Sequence, residues 1–96
     1  DELALLYKCN SRVNLFSQSG KIIRRFNTQI KNPLFILPYN SSWLIINTSG
    51  KIQFLDEEPI QLLINSRNIN DAIIDNNTLI LLVNSSLIMY EISDGI

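Results

Sequence analysis

"PLFILPYNSSWLIINTSGKIQFLDEEPIQLLIN", Pro33 to Asn65, alternates four apolar runs with three polar breaks. The runs are PLFILPY, WLIIN, KIQFL and PIQLLIN; the breaks are Asn-Ser-Ser, Thr-Ser-Gly and Asp-Glu-Glu. Runs this short, rich in β-branched Ile and bounded by turn formers, fit strands. Gly supplies positive φ in the breaks, and Asn and Asp tolerate it. No window carries the i, i+3, i+4, i+7 spacing of an amphipathic helix over three turns. The stretch predicts four antiparallel strands in a meander.

The same texture continues on both sides. LALLYKC, RVNLF and KIIRRF precede it; INDAIID, TLILLV and LIMYEI follow. Ser-Gly-Lys-Ile occurs at Ser19–Ile22 and again at Ser49–Ile52, which suggests a 30-residue repeat. That register requires a third such turn near residue 80, where the chain reads TLILLV instead. A second register survives. NSRVNLF (Asn10 to Phe16) overlays NSSLIMY (Asn84 to Tyr90) at a shift of 74, and TSGKIQFL sits midway, so the unit recurs every 37 residues. Ser-Gly-Lys-Ile is then one turn chemistry used at two corners. It joins the third strand to the fourth at Gly20, and the second to the third at Gly50.

A four-stranded antiparallel unit recurring at about 40 residues is the sequence mark of a β-propeller blade. On this reading the fold class is all-β, a WD40-like propeller fragment of about two and a half blades. Residues 1–26 form a partial blade lacking its innermost strand, 33–64 a complete one, and 69–96 a partial one lacking its outermost strand. Such a piece leaves raw sheet faces and edges. The start at Asp1 and the stop at Ser93–Ile96 read as an excerpt of a longer protein. A self-contained β-sandwich is the competing architecture.

Composition narrows the function classes. The chain has 96 residues and a net charge of −1, which gives no basic field for nucleic acid or acidic lipid. It contains no histidine and one cysteine, Cys9. Imidazole metal ligands, Ser-His and Cys-His pairs, intrachain disulfides and Cys-based zinc sites are therefore excluded. The apolar runs are too short to span a bilayer, and no secretory signal is seen. Sequons begin at Asn40, Asn47, Asn76 and Asn84, as expected by chance in a chain rich in Asn and Ser.

Glu2 to Asn65 resembles the citron-homology propeller. The resemblance rests on Val13-Asn14-Leu15 with Gly20, the basic strand Ile22 to Arg25, and Pro33 to Tyr39 leading to Trp43–Ile46. It continues through Ile52-Gln53-Phe54 and Ile60-Gln61-Leu62-Leu63-Ile64. Gln53 replaces an acidic residue of the family pattern, and Leu37-Pro38-Tyr39 its Pro-Pro-Tyr. The Gly-His and Trp-Asp marks of the common WD40 subclass are absent. The resemblance implies a protein-binding platform. One family branch holds subunits of the endosomal and vacuolar tethering complexes (HOPS and CORVET). The other holds Rho-type exchange factors and germinal-centre kinases. The short turns here are more like the tethering branch, which implies sister-subunit partners, a small Rab-type GTPase, and a cytoplasmic location at endosome or vacuole membranes through those partners. No enzymatic activity, cofactor or metal is expected.

Two charged groups are the candidate partner contacts. Lys21, Arg24 and Arg25 make a basic outer strand on which the two adjacent arginines point to opposite faces. Asp56, Glu57 and Glu58 form the one acidic cluster; they lack the spaced pattern of a Ca²⁺ loop and suit a solvated turn before Pro59. Tyr39 and Trp43 are assigned to packing between blades, and Cys9 to a small apolar position. Asp71 and Asp75, four apart in a strand, share one face.

Overall fold

A computed structural model describes residues 2–62 and 69–92. The all-β expectation holds: ten strands and, among the described residues, no helix. They form three antiparallel sheets in chain order. The first is β1 (Leu3–Tyr7), β2 (Arg12–Phe16) and β3 (Ile22–Asn27). The second is β4 (Pro33–Tyr39), β5 (Ser42–Asn47), β6 (Lys51–Phe54) and β7 (Ile60–Gln61). The third is β8 (Ile69–Asp75), β9 (Thr78–Val83) and β10 (Ser86–Glu91). Each sheet is a simple meander. The ends of the units assigned from sequence, residues 1, 63–64 and 93–96, lie outside the described residues.

The turns follow from local chemistry. Asn40 and Ser41 both have positive φ, 50° and 64°, as a two-residue type I′ hairpin between β4 and β5 requires. The two Ser-Gly-Lys-Ile turns are built alike. Gly20 N–H donates to the Ser17 carbonyl at 3.0 Å and Gly50 N–H to the Asn47 carbonyl at 3.3 Å. Both glycines sit in the left-handed region, at φ 88° and 87°. In each, the side-chain oxygen of the first turn residue accepts the N–H of the following lysine, Lys21 to Ser17 Oγ at 3.3 Å and Lys51 to Asn47 Oδ1 at 2.9 Å. One turn joins β2 to β3 and the other β5 to β6, in each case the second strand of its sheet to the third, so the two turns occupy equivalent corners and not the different ones that the 37-residue register assigned them.

Asn47 does more than its counterpart. It is buried, its Nδ2 donates to the Lys31 carbonyl at 3.0 Å, and its Oδ1 also accepts from Ser49 N–H and Oγ. One side chain thus pins the β5–β6 turn to the crossover that leads from the first sheet to the second.

The sheets stack face to face, and the second is covered on both sides. On β5, Leu44 and Ile46 face the third sheet, in a core with Ile52, Leu79 and Leu81. Ile45 faces the first sheet, in a core with Val13, Leu15, Ile30 and Leu55. Leu44, Ile45 and Ile46 all have zero exposure, which explains why WLIIN reads as a continuous apolar run rather than an alternation. Full burial of one such side chain is worth roughly 1.5–3 kcal/mol. On β9 the pattern does alternate: Leu79, Leu81 and Val83 are buried, while Ile80 and Leu82 are half-buried on the outer face.

Neighbouring sheets approach most closely along their first strands, β4 beside β8 and β1 beside β4. The far end between the second and third sheets is filled by larger side chains. Phe54, Ile60, Leu62 and Tyr90 line a cavity of ≈ 140 Å³ there. The stack therefore fans outward from one edge.

Candidate functional site

The crossover, β3 and the β6–β7 turn meet at the far end between the first and second sheets. Gln53 on β6 is almost wholly buried at this junction. Its Oε1 accepts from Gln29 N–H at 2.9 Å and its Nε2 donates to the Glu57 carbonyl at 3.0 Å. A glutamate here would present a second acceptor to that carbonyl. The site needs one donor and one acceptor, which a glutamine supplies and a carboxylate does not.

The two candidate charged groups converge on this junction in part. Arg24 lies opposite Leu15 on the inner face of the first sheet, whereas Arg25 lies opposite Asn14 on the outer face. Arg24 donates to Asp56 through both guanidinium nitrogens, Nη1 to Oδ2 at 2.7 Å and Nη2 to Oδ1. Its guanidinium also lies over the Phe26 ring, 5.4 Å from the centroid. Asp56 adopts a left-handed conformation, φ 70°, in the β6–β7 turn, and Glu57 N–H closes that turn onto the Phe54 carbonyl at 2.9 Å. The pair is solvent-facing, with side chains 41% and 58% exposed. The hydrogen bond from Arg24 holds the Asp56 carboxyl below the usual aspartate range, and the same bond raises Arg24.

Two of the six candidate contact residues are therefore spent on each other, clasping the first sheet to the second. Lys21, Arg25, Glu57 and Glu58 are exposed. Lys21 stands at the start of β3 beyond the Gly20 turn, Arg25 on the outer face, and the glutamates beyond the clasp. The set is split between two surfaces and is not one patch.

The other singled-out residues sort by packing. Trp43 packs in the first core, with its Nε1 donating to Glu2 Oε1 at 3.2 Å. Tyr39 meets Phe54 in a tilted ring pair at 5.7 Å, and its hydroxyl donates to Asn77 Oδ1 at 3.3 Å. Cys9 is exposed in the β1–β2 turn rather than packed as a small apolar residue. Of the sequons, the one at Asn47 has its acceptor nitrogen buried and already donating, so the folded chain offers no glycosylation site there. Among the described residues, no group of three His, Cys, Asp or Glu side chains is placed to hold a metal ion.

Sequence reasoning missed Gln53 and Asn47 as structural keystones. Both are polar residues in apolar strands, a pattern that marks a buried hydrogen-bonding role. Set against known proteins, the chain matches no family model and no curated protein.

Proposed function

We propose that this chain is a section of a citron-homology-type β-propeller that acts as a protein-binding scaffold in an endosomal or vacuolar membrane-tethering complex. In this reading the three sheets are successive blades, and β4 and β8 are the innermost strands of two of them. One observation carries the architectural half: meandering sheets follow one another in chain order and fan out from their first strands. The trafficking role rests on the resemblance of Glu2 to Asn65 to the tethering branch of that family.

A scaffold of this kind binds through loop tips and exposed edges on rigid blades. The Arg24–Asp56 clasp fixes the angle between two blades and sets Glu57 and Glu58 on a defined rim. Sister subunits of a large complex and a small Rab-type GTPase are the partners, and membrane association is peripheral and through them. The test is retention of purified Rab-type and Rho-type GTPases, each loaded with GDP or a non-hydrolysable GTP analogue, on the immobilised chain. Nucleotide-dependent retention of a Rab-type GTPase, weakened by reversing Glu57 and Glu58 or Lys21 and Arg25, is the expected result. Retention of Rho-type GTPases alone would replace this reading with a regulatory propeller of an exchange factor or kinase.

A further inference from the structure

The outward faces of the first and third sheets are apolar at the centre and opposite in charge. On the first sheet, cross-strand register places Leu3, Leu5 and Tyr7 of β1 beside Arg12, Asn14 and Phe16 of β2, with Arg25 opposite Asn14. Leu3 is 58% exposed and Leu5 42%. On the third, Ile73, Ile80 and Met89 form the middle row, bounded by Asp71 on one side and by Asp75 and Glu91 on the other. Ile73, Leu87 and Met89 are 54–63% exposed. Among the described residues, none of these five charged side chains makes an ion pair within the chain. One face carries two guanidinium groups and the other three carboxylates.

A buried polar side chain sits at the centre of the basic face. Asn14 is 93% buried at its centre, yet its Oδ1 accepts no hydrogen bond. A buried acceptor left unpaired costs about 1–3 kcal/mol, so a native chain normally supplies a donor for it. The acceptor lies on the outward side of the sheet, across from Arg25 on the same face. Contiguous apolar sheet faces of this kind are rarely left to water.

We infer that the acidic outer face of the third sheet in one copy of this chain docks on the basic outer face of the first sheet in a second copy. The contact is heterologous, so it leaves one face of each type free and repeats until a ring closes or a filament grows. Two copies would bring six sheets together, within the roughly four to eight that close a propeller. Opposed charges select this pairing over basic-on-basic or acidic-on-acidic contacts, because like charges in an interface are strongly disfavoured. The inference draws on the faces themselves and not on the trafficking role, and the readouts are separate: GTPase retention for that role, oligomeric state for this one.

Sedimentation velocity and light scattering of the purified chain, from low to high micromolar, test it. The expected result is mass-action self-association that weakens with added salt. Arg12→Glu with Arg25→Glu, and separately Asp71→Arg with Asp75→Arg, each weaken it roughly tenfold or more, a step of about 1.4 kcal/mol. Mixing the two variants restores association, because each then offers the other two oppositely charged pairs of faces. Circular dichroism and urea unfolding confirm that the variants fold; should a double variant fail, the single changes Arg25→Glu and Asp75→Arg take its place. A wild-type chain that stays monomeric throughout overturns the inference. So does association that only one of the two reversals weakens, which means like faces meet, or a mixture that remains monomeric.

Discussion

Ile45 and Ile46 are adjacent on β5 and point into different cores, one toward the first sheet and one toward the third. Replacing either by valine removes one methylene from a site of zero exposure. The transfer loss is about 0.8 kcal/mol per methylene, and a residual cavity adds a few tenths, giving about 1 kcal/mol for each, inside the 0.5–1.5 range of such changes. Valine keeps the β-branched shape, so strand propensity is not at issue. Ile80→Val, on the half-buried outer face of β9, serves as the comparison and should cost less than about 0.5 kcal/mol. Urea unfolding at low protein concentration reads the difference: with an m-value of roughly 1–3 kcal/mol/M, each buried substitution lowers the midpoint by about 0.3–1 M. In thermal unfolding the shift is roughly 4–8 °C per kcal/mol for a domain of this size. Both valines must register. If Ile45→Val or Ile46→Val is silent while the other is not, the second sheet is covered on one side only, and the three-layer stack is wrong.

Three further outcomes follow from single polar residues. Asn47→Ala leaves the Lys31 carbonyl and the Ser49 and Lys51 amides without their partner, and should cost about 2–3 kcal/mol in the same urea assay; a loss under 0.5 would deny the turn-pinning role. Gln53→Glu places a carboxylate against the Glu57 carbonyl, so stability should fall by about 2–4 kcal/mol at neutral pH and recover in part in acid, where the group is protonated; equal losses at both pH values would count against the donor–acceptor account. Asp56→Asn tests the clasp by linkage. Its carboxyl is held below the ordinary aspartate range, so it contributes stability above the unfolded-state value and loses it as pH falls through the lowered one. Wild type should therefore be slightly more stable than Asp56→Asn near neutrality, with the gap closing in acid and shrinking in high salt; a gap that widens in acid would mean the pair is not what shifts the carboxyl.

Much of the fold was legible in sequence because the signals are local. Asn40-Ser41, Asn76-Asn77 and Asn84-Ser85 mark two-residue turns, and β4 and β8 fall on the runs PLFILPY and INDAIID residue for residue. The candidate contacts were legible only as residue types. Arg24 and Asp56 are 32 positions apart, and nothing in either neighbourhood says that each is the other's partner. Nor could local pattern separate Gln53, buried between two backbone groups, from the exposed Gln61 one strand later.

Strand identity and the meander were determined by the sequence itself, since each depends on a few adjacent residues and their backbone preferences. Only the tertiary structure decided which apolar faces are covered. Burial on both sides of β5 and on one side of β9 requires knowing what lies across each face, and hydrophobicity records only that a face is ready to leave water, not what will cover it.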